Sequence, residues 1–308
     1  MAERSAVRRG LRVVASLGLL AVTAALVDVR EIGTTLAGLS WLPVVAALGV
    51  SVPQLAITAW RWCFTARRMD LPLPFLVAWR EYYASALLNL VLPGGVLGDA
   101  SRVLRLSAAA RGGAGKIARC VVIERTSGQV ALWLLIAVGA IVYGAPRAPL
   151  LTVGALVGVA ASLVGLRWIF ARPAVADTTV GAAVRRFVGE LRATLVDDRA
   201  WAVQLSASLA AVALLGVMFG LCIVAVGAPM RPGQVLLVAP LVLAASALPI
   251  SVGGWGVREA TSAGLFGLLG LSATQGAAAA AAFGAVSLVG ALPGAGVLLL
   301  VPPPAEES

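Results

Sequence analysis

Hydrophobic residues fall in long blocks along this 308-residue chain, and polar residues gather in short links between them. Blocks at about 11–27, 41–65, 121–143, 149–170, 200–226 and 275–300 predict six helices, each near the roughly 20 residues that cross a bilayer core. Trp41, an interfacial anchor type, opens the second block, and Arg67 and Arg68 follow its end. Two other apolar stretches are interrupted. Residues 72–81 hold Pro72, Pro74, Trp79, Arg80 and Glu81 and predict an amphipathic lead-in that does not cross. Residues 82–97 are apolar but too short to span, and they end in the Gly-rich LPGGVLGD. Further on, 235–249 and 256–270 are two short apolar pieces separated by SVGGWG. The longest polar stretch is 172–199, where the spacing of Val184, Phe187, Val188, Leu191 and Leu195 predicts an amphipathic helix lying on the membrane.

The fold class that follows is all-α: a polytopic helical membrane protein of about six full spans, with two broken, re-entrant helical hairpins. Composition excludes a soluble domain. Sixty per cent of the residues are hydrophobic, 12% are charged and the mean hydropathy is +0.96. Arg4, Arg8, Arg9 and Arg12 precede the first block as in a signal peptide. Asp28, Arg30 and Glu31 follow it instead of a small-residue cleavage site, so an uncleaved first span is expected.

The net charge of +10 does not indicate nucleic acid, because the basic residues sit in the links. Of the 24 lysines and arginines, all but Arg30, Arg147, Arg231 and Arg258 fall on one side if the N-terminus is inside. That asymmetry places the N-terminus in the cytoplasm and, with six spans, the C-terminus too. There is no histidine, which removes histidine bases and metal ligands. Cys63, Cys120 and Cys222 are far apart and read as small buried hydrophobes. No P-loop is present. No cofactor, metal or catalytic residue is expected.

Both interruptions, Leu92 to Arg102 and Leu248 to Glu259, open on Leu-Pro, continue through glycines and reach charge about ten residues on. Proline breaks a helix and glycine lets the chain turn. Irregular backbone at membrane depth survives only inside protein or beside a wet cavity, and ionisable groups there are usually functional. The order span, span, broken hairpin, span occurs twice, which predicts inverted repeats over 1–145 and 146–302, followed by a disordered tail at 303–308. Half-helices meeting between the repeats would form a site for an anion. Its candidate residues are Pro93, Gly94, Gly95, Gly98, Asp99 and Arg102 in the first break. Pro249, Ser251, Gly253, Gly254, Gly256, Arg258 and Glu259 come from the second, with Glu124 and Arg125 from the third span. Glu124 has Arg102 or Arg258 as a partner for a site, or takes part in a structural ion pair. The competing account is that the small residues only allow close packing, as Ala277 to Ala282 are expected to do.

At these residues the chain resembles the membrane domain of lysylphosphatidylglycerol synthases and its stand-alone, flippase-like bacterial relatives. The marks are Arg61-Trp62, then Tyr83 through Asn89 leading into LPGG, then Gly98-Asp99 with Arg102. Glu124-Arg125 and Pro249 through Glu259 complete them. The family has Gly-Gly-Asp where this chain has Leu97-Gly98-Asp99. The resemblance extends the lipid-binding set to Arg61, Tyr83 and Asn89. It implies re-entrant helices and a bacterial plasma-membrane protein that translocates a phospholipid or polyprenyl-phosphate-linked lipid between leaflets. It does not imply aminoacyl transfer, which belongs to a separate soluble domain for which residues after 300 leave no room. The partner expected is a membrane lipid with an anionic head group, and a homo-oligomer or a cytoplasmic partner is left open. Two other functions compete. One is a lipid-linked transferase with Asp99 or Glu259 as base or metal ligand; the other is a non-transporting assembly subunit.

Overall fold

The computed structural model describes residues 34–300 apart from 36, 93–94, 108–112, 145–148, 150–151, 155, 162–163, 165–178, 196–199 and 249–250. Besides helical residues near 34–37 and within 149–164, that part of the chain forms α1 (Trp41–Arg68), α2 (Phe75–Val91), α3 (Leu97–Ser107), α4 (Gly113–Gly139), α5 (Thr179–Leu195), α6 (Ala200–Ala225), α7 (Pro232–Ser246), α8 (Val257–Leu268), α9 (Ala273–Ala291) and α10 (Pro293–Leu300). A wider π-helical turn, Ala140–Gly144, extends α4. Pro293 interrupts the last helix only at a turn on Leu292, whose backbone stays helical. Four helices are long and apolar enough to cross a membrane among the described residues: Trp41–Arg68, Gly113–Tyr143, Ala200–Ala225 and Ala273–Leu300. The expected span at 11–27 and the tail at 303–308 lie outside the described residues; the one at 149–170 lies partly outside them, and its described part includes the shorter apolar helix Thr152–Ala161.

Three boundaries differ from the hydropathy reading. Residues 75–91 form one helix, with no break between the lead-in and the apolar piece. Glu81 does not end the helix because it is buried and paired, accepting from Arg105 Nε at 2.8 Å and Nη2 at 3.1 Å. The helix containing Glu124 starts at Gly113, well before the expected 121, so Glu124 and Arg125 sit inside it and not near its start. Charge marks where apolar surroundings begin, whereas the helix continues through Lys116 and Arg119, and Arg119 pairs with Glu190 of α5 at 2.6 Å. The amphipathic helix exists as α5, but part of its apolar face is taken up by protein. Leu191 is buried and Phe187 half-buried in a cluster with Trp62, Met69 and Ile117, and Arg68 donates to the Ala193 carbonyl at 2.8 Å.

One order of elements recurs along the chain. A long helix, two short helices flanking a glycine-rich break, and a second long helix form α1–α4, then again α6–α10. The short helices have 17 and 11 residues in the first set and 15 and 12 in the second. At 1.5 Å per residue the longest of them is about 25 Å, short of the ~30 Å hydrocarbon core. The two leading helices, α1 and α6, form the most extensive contact, and each set reaches across to the other: α2 packs on α10, and α7 packs on α4. Small residues allow both crossings. A Cβ on Gly139 of α4 would overlap the Leu236 carbonyl oxygen of α7 and lie 3.0 Å from the Leu237 Cα. A Cβ on Gly294 of α10 would overlap the Tyr83 carbonyl oxygen of α2 and lie 2.8 Å from the Ala84 nitrogen. Backbone against backbone without side chains between is how membrane helices gain dispersion contact where lipid removes the hydrophobic drive.

Gly139→Ala and Gly294→Ala should each lower stability by about 1–3 kcal/mol, the range for overpacking. Gly49→Ala and Gly216→Ala, where a Cβ meets nothing within 4 Å, should leave it unchanged or raise it by up to about 1 kcal/mol. Melting temperatures of the four detergent-purified variants check this; equal effects would remove the crossings as constraints.

Candidate functional site

The first break folds α3 back against α2. Gly95 takes φ +61°, which glycine adopts without strain. The Gly98 N–H donates to Asn89 Oδ1 at 2.8 Å, and a Cβ on Gly98 would overlap the Ser85 carbonyl oxygen. Leu97 is exposed, so its side chain meets no obstacle at this turn. This close return carries Asp99 and Arg102 into the protein, where both are buried.

They enter an ion network drawn from five helices. Glu124 of α4 is fully buried, and its two carboxylate oxygens are both occupied. Oε1 takes Arg61 Nη2 of α1 in a short ion pair. Oε2 accepts from the Tyr82 hydroxyl of α2 at 2.8 Å and from Arg102 Nη2 of α3 at 3.3 Å. Arg61 Nη1 also donates to Ser208 Oγ of α6 at 2.8 Å. Arg102 reaches Asp99 Oδ1 at 2.7 Å, and its guanidinium lies 4.5 Å from the ring centroids of both Trp62 and Tyr82. Ser85 Oγ donates to the same Asp99 oxygen at 3.3 Å. The other Asp99 oxygen pairs closely with Arg125, which also donates to the Gly95 carbonyl at 3.4 Å.

This network forms one wall of a partly open cavity of about 310 Å³ between both sets of helices. Arg61, Glu124, Asp99 and Arg125 supply its charge, while Gln54, Thr58, Tyr82, Ser85, Asn89 and Gln129 add uncharged polar groups. Leu55, Ala86, Gly128 and Leu132 add apolar surface among them, and the second set contributes apolar residues alone: Ala211, Val212 and Leu215 of α6, Leu243 of α7 and Ala247 just beyond it.

Of the residues picked from the sequence, Arg61, Asn89, Asp99, Glu124 and Arg125 line this cavity. Gly95, Gly98 and Arg102 hold its wall from behind. Pro93, Gly94 and Pro249 lie outside the described residues. Tyr83 is turned away: its ring tilts against Trp79 and its carbonyl faces Gly294, and the neighbouring Tyr82 takes the cavity position. Polar residues at helical spacing carry the signal that finds the missed groups. Gln54, Thr58 and Arg61 recur at i, i+4 and i+7 on α1, and Tyr82, Ser85 and Asn89 at i, i+3 and i+7 on α2, each stripe within an apolar helix.

The second break does not bring its charges to the cavity. Arg258 pairs with its own neighbour Glu259, at 2.8 and 3.1 Å, and not with Glu124. Its guanidinium lies 4.6 Å from the Trp255 ring centroid, sealed against Gly284 of α9. Glu259 Oε2 accepts the Gly256 N–H at 2.6 Å, which closes the start of α8. Ser251 is buried nearby in the chain, and Gly254 and Gly256 take left-handed φ of +80° and +83°. The breaks themselves do touch. Gly253, at φ +56°, lies so close to the Leu90 carbonyl that a Cβ there would overlap it. Among the described residues, no three of His, Cys, Asp and Glu group as metal ligands, and Cys63, Cys120 and Cys222 are buried free thiols.

The sequence model of a family described as Lysylphosphatidylglycerol synthase TM region matches residues 10–294. No curated protein matches the chain. The match covers nearly the whole sequence, so the chain belongs to that family and is a multi-pass integral membrane protein.

Glu124→Ala leaves the buried Arg61 and Arg102 without their shared carboxylate and should lose about 3–5 kcal/mol, as removal of one partner from a buried ion pair does. Arg258→Ala, which strands Glu259, should also destabilise. Arg125→Ala should cost less than about 1 kcal/mol because that pair is half in the open. Denaturant unfolding in micelles ranks the three; an Arg125 effect as large as that of Glu124 would contradict the partition into a buried frame and an accessible cation.

Proposed function

We propose that this member of the lysylphosphatidylglycerol synthase TM region family handles a phospholipid or polyprenyl-phosphate-linked lipid and moves it between leaflets, with the head group in the cavity. The observation that carries the reading is the cavity's polarity: the first set of helices brings to it an ion network and uncharged hydrogen-bonding groups, and the second set brings apolar side chains alone. A lipid has that same division. At about 310 Å³ the cavity is at the low end of the ~300–1,000 Å³ typical of small-molecule sites, enough for a head group but not for two acyl chains. The tails would then stay in the bilayer while the head group crosses in polar surroundings.

The repeated order of helices supports reading the two sets as inverted repeats, and the short helices on either side of each break support reading them as re-entrant hairpins. In that arrangement α1–α4 enter from the cytoplasm and α6–α10 from outside, as the basic links suggest. With no nucleotide-binding motif in the sequence, transport runs downhill or on a gradient.

Reconstitution in liposomes with fluorescent lipids tests the reading. Leaflet exchange should exceed that of empty vesicles for at least one anionic lipid. It should fall by about ten- to a hundredfold in Arg125→Ala, the loss of one charged hydrogen bond. Exchange no faster than in empty vesicles across phospholipids and polyprenyl phosphates would sink it.

A further inference from the structure

We infer that the cavity selects a head group with one net negative charge, a phosphodiester with an uncharged polar remainder, and turns away cationic head groups, with Arg125 as the residue that takes the phosphate. The inference rests on the cavity being a lipid head-group site, and it names which class of lipid.

Three guanidiniums, Arg61, Arg102 and Arg125, meet two carboxylates, Asp99 and Glu124. The network carries one positive charge in excess. That excess is not spread evenly. Arg61 and Arg102 are buried and committed to Glu124, and Arg102 also to Asp99. Arg125 keeps 43% of its side chain exposed, lines the cavity, and holds only one oxygen of Asp99 and the Gly95 carbonyl. It is the cation of this network that a ligand can reach.

Neutralisation follows the same geometry. If Arg125 turns to a phosphate, Asp99 keeps Arg102 at 2.7 Å and Ser85 at 3.3 Å on its other oxygen, so its charge stays paired. One bound negative charge then balances the site. A phosphomonoester or diphosphate brings a further charge near pH 7 that no cation in the network is left to meet. An ammonium-bearing head group fares worse, because it adds positive charge to a site that already holds one in excess, and the one carboxylate position open to it is the Asp99 oxygen that Arg125 vacates. The remaining polar groups of the wall, Gln54, Thr58 and Gln129, are uncharged amides and a hydroxyl and suit hydroxyls on the head group.

The test is binding by the full chain in detergent, read by native mass spectrometry. The probes are phosphatidylglycerol, phosphatidic acid, lysyl-phosphatidylglycerol and the tail-less glycerophosphoglycerol. Phosphatidylglycerol should bind about tenfold or more tighter than phosphatidic acid and the lysyl lipid. Arg125→Gln should abolish that preference. Arg125→Lys should retain part of it, and Arg185→Gln, which removes an exposed charge on α5, should leave it intact. Equal binding of all three lipids, tighter binding of the lysyl lipid, or an undiminished preference in Arg125→Gln overturns the inference. Tail-less head group binding as tightly as phosphatidylglycerol overturns it too, since the site would then take soluble anions. Leaflet exchange without charge preference in liposomes overturns the selectivity and leaves transport standing; selective binding without exchange does the reverse.

Discussion

A fully buried carboxylate holds this protein's charged centre together. Glu124 gathers Arg61, Arg102 and Tyr82 from three helices around one group. In a bilayer no water is at hand to satisfy those groups, so each charge must be met by another in the protein. The consequence is geometric. To reach Glu124, Arg102 must arrive on a helix that turns back on α2, and that turn needs a glycine at Gly98 against the Ser85 carbonyl. The break in the chain and the ion network are therefore one requirement seen from two sides.

The same economy separates frame from function. Arg61 and Arg102 are spent on the buried carboxylates, and the cation–π contacts with Trp62 and Tyr82 fix Arg102 further. Arg125 sits at the edge of the same network, with a foot on the broken backbone at Gly95. A group that binds a ligand has to be able to change partners at low cost, and it is the least buried cation of the network that can. The second set of helices repeats the layout of the first but not its chemistry. There Arg258 and Glu259 close on each other under Trp255, and the face turned to the cavity is apolar. The two sets thus differ in what they bring to the cavity, charge from the first and apolar surface from the second.

Much of this was legible along the chain. The helical class, the long spans expected at 41–65, 200–226 and 275–300 and the two glycine-rich breaks follow from hydropathy and from proline and glycine positions, and the structure moves the ends of those spans by no more than three residues. Asp99, Arg102, Glu124 and Arg125 stand out because charge is costly in an apolar block. Gln54, Thr58 and Gln129 are not legible singly, because neutral polar residues are common in membrane helices and only their stripe with Arg61 or Arg125 marks them. The resemblance points to Tyr83, whereas Tyr82 lines the cavity; which of two adjacent tyrosines faces inward depends on the rotation of α2.

Sequence by itself determined the membrane habit, the breaks and the doubling of the element order, because these depend on local quantities: residue hydropathy, backbone freedom and the length of apolar runs. Tertiary structure alone decided the partners. Glu124 took Arg61 and Arg102, while Arg258 turned to Glu259, although the sequence left Arg102 and Arg258 equally open to Glu124. Charge attraction has long range and little direction in sequence. The close helix crossings at Gly139, Gly253 and Gly294 bring particular side chains within bonding distance, and they thereby choose among the pairs that charge alone permits.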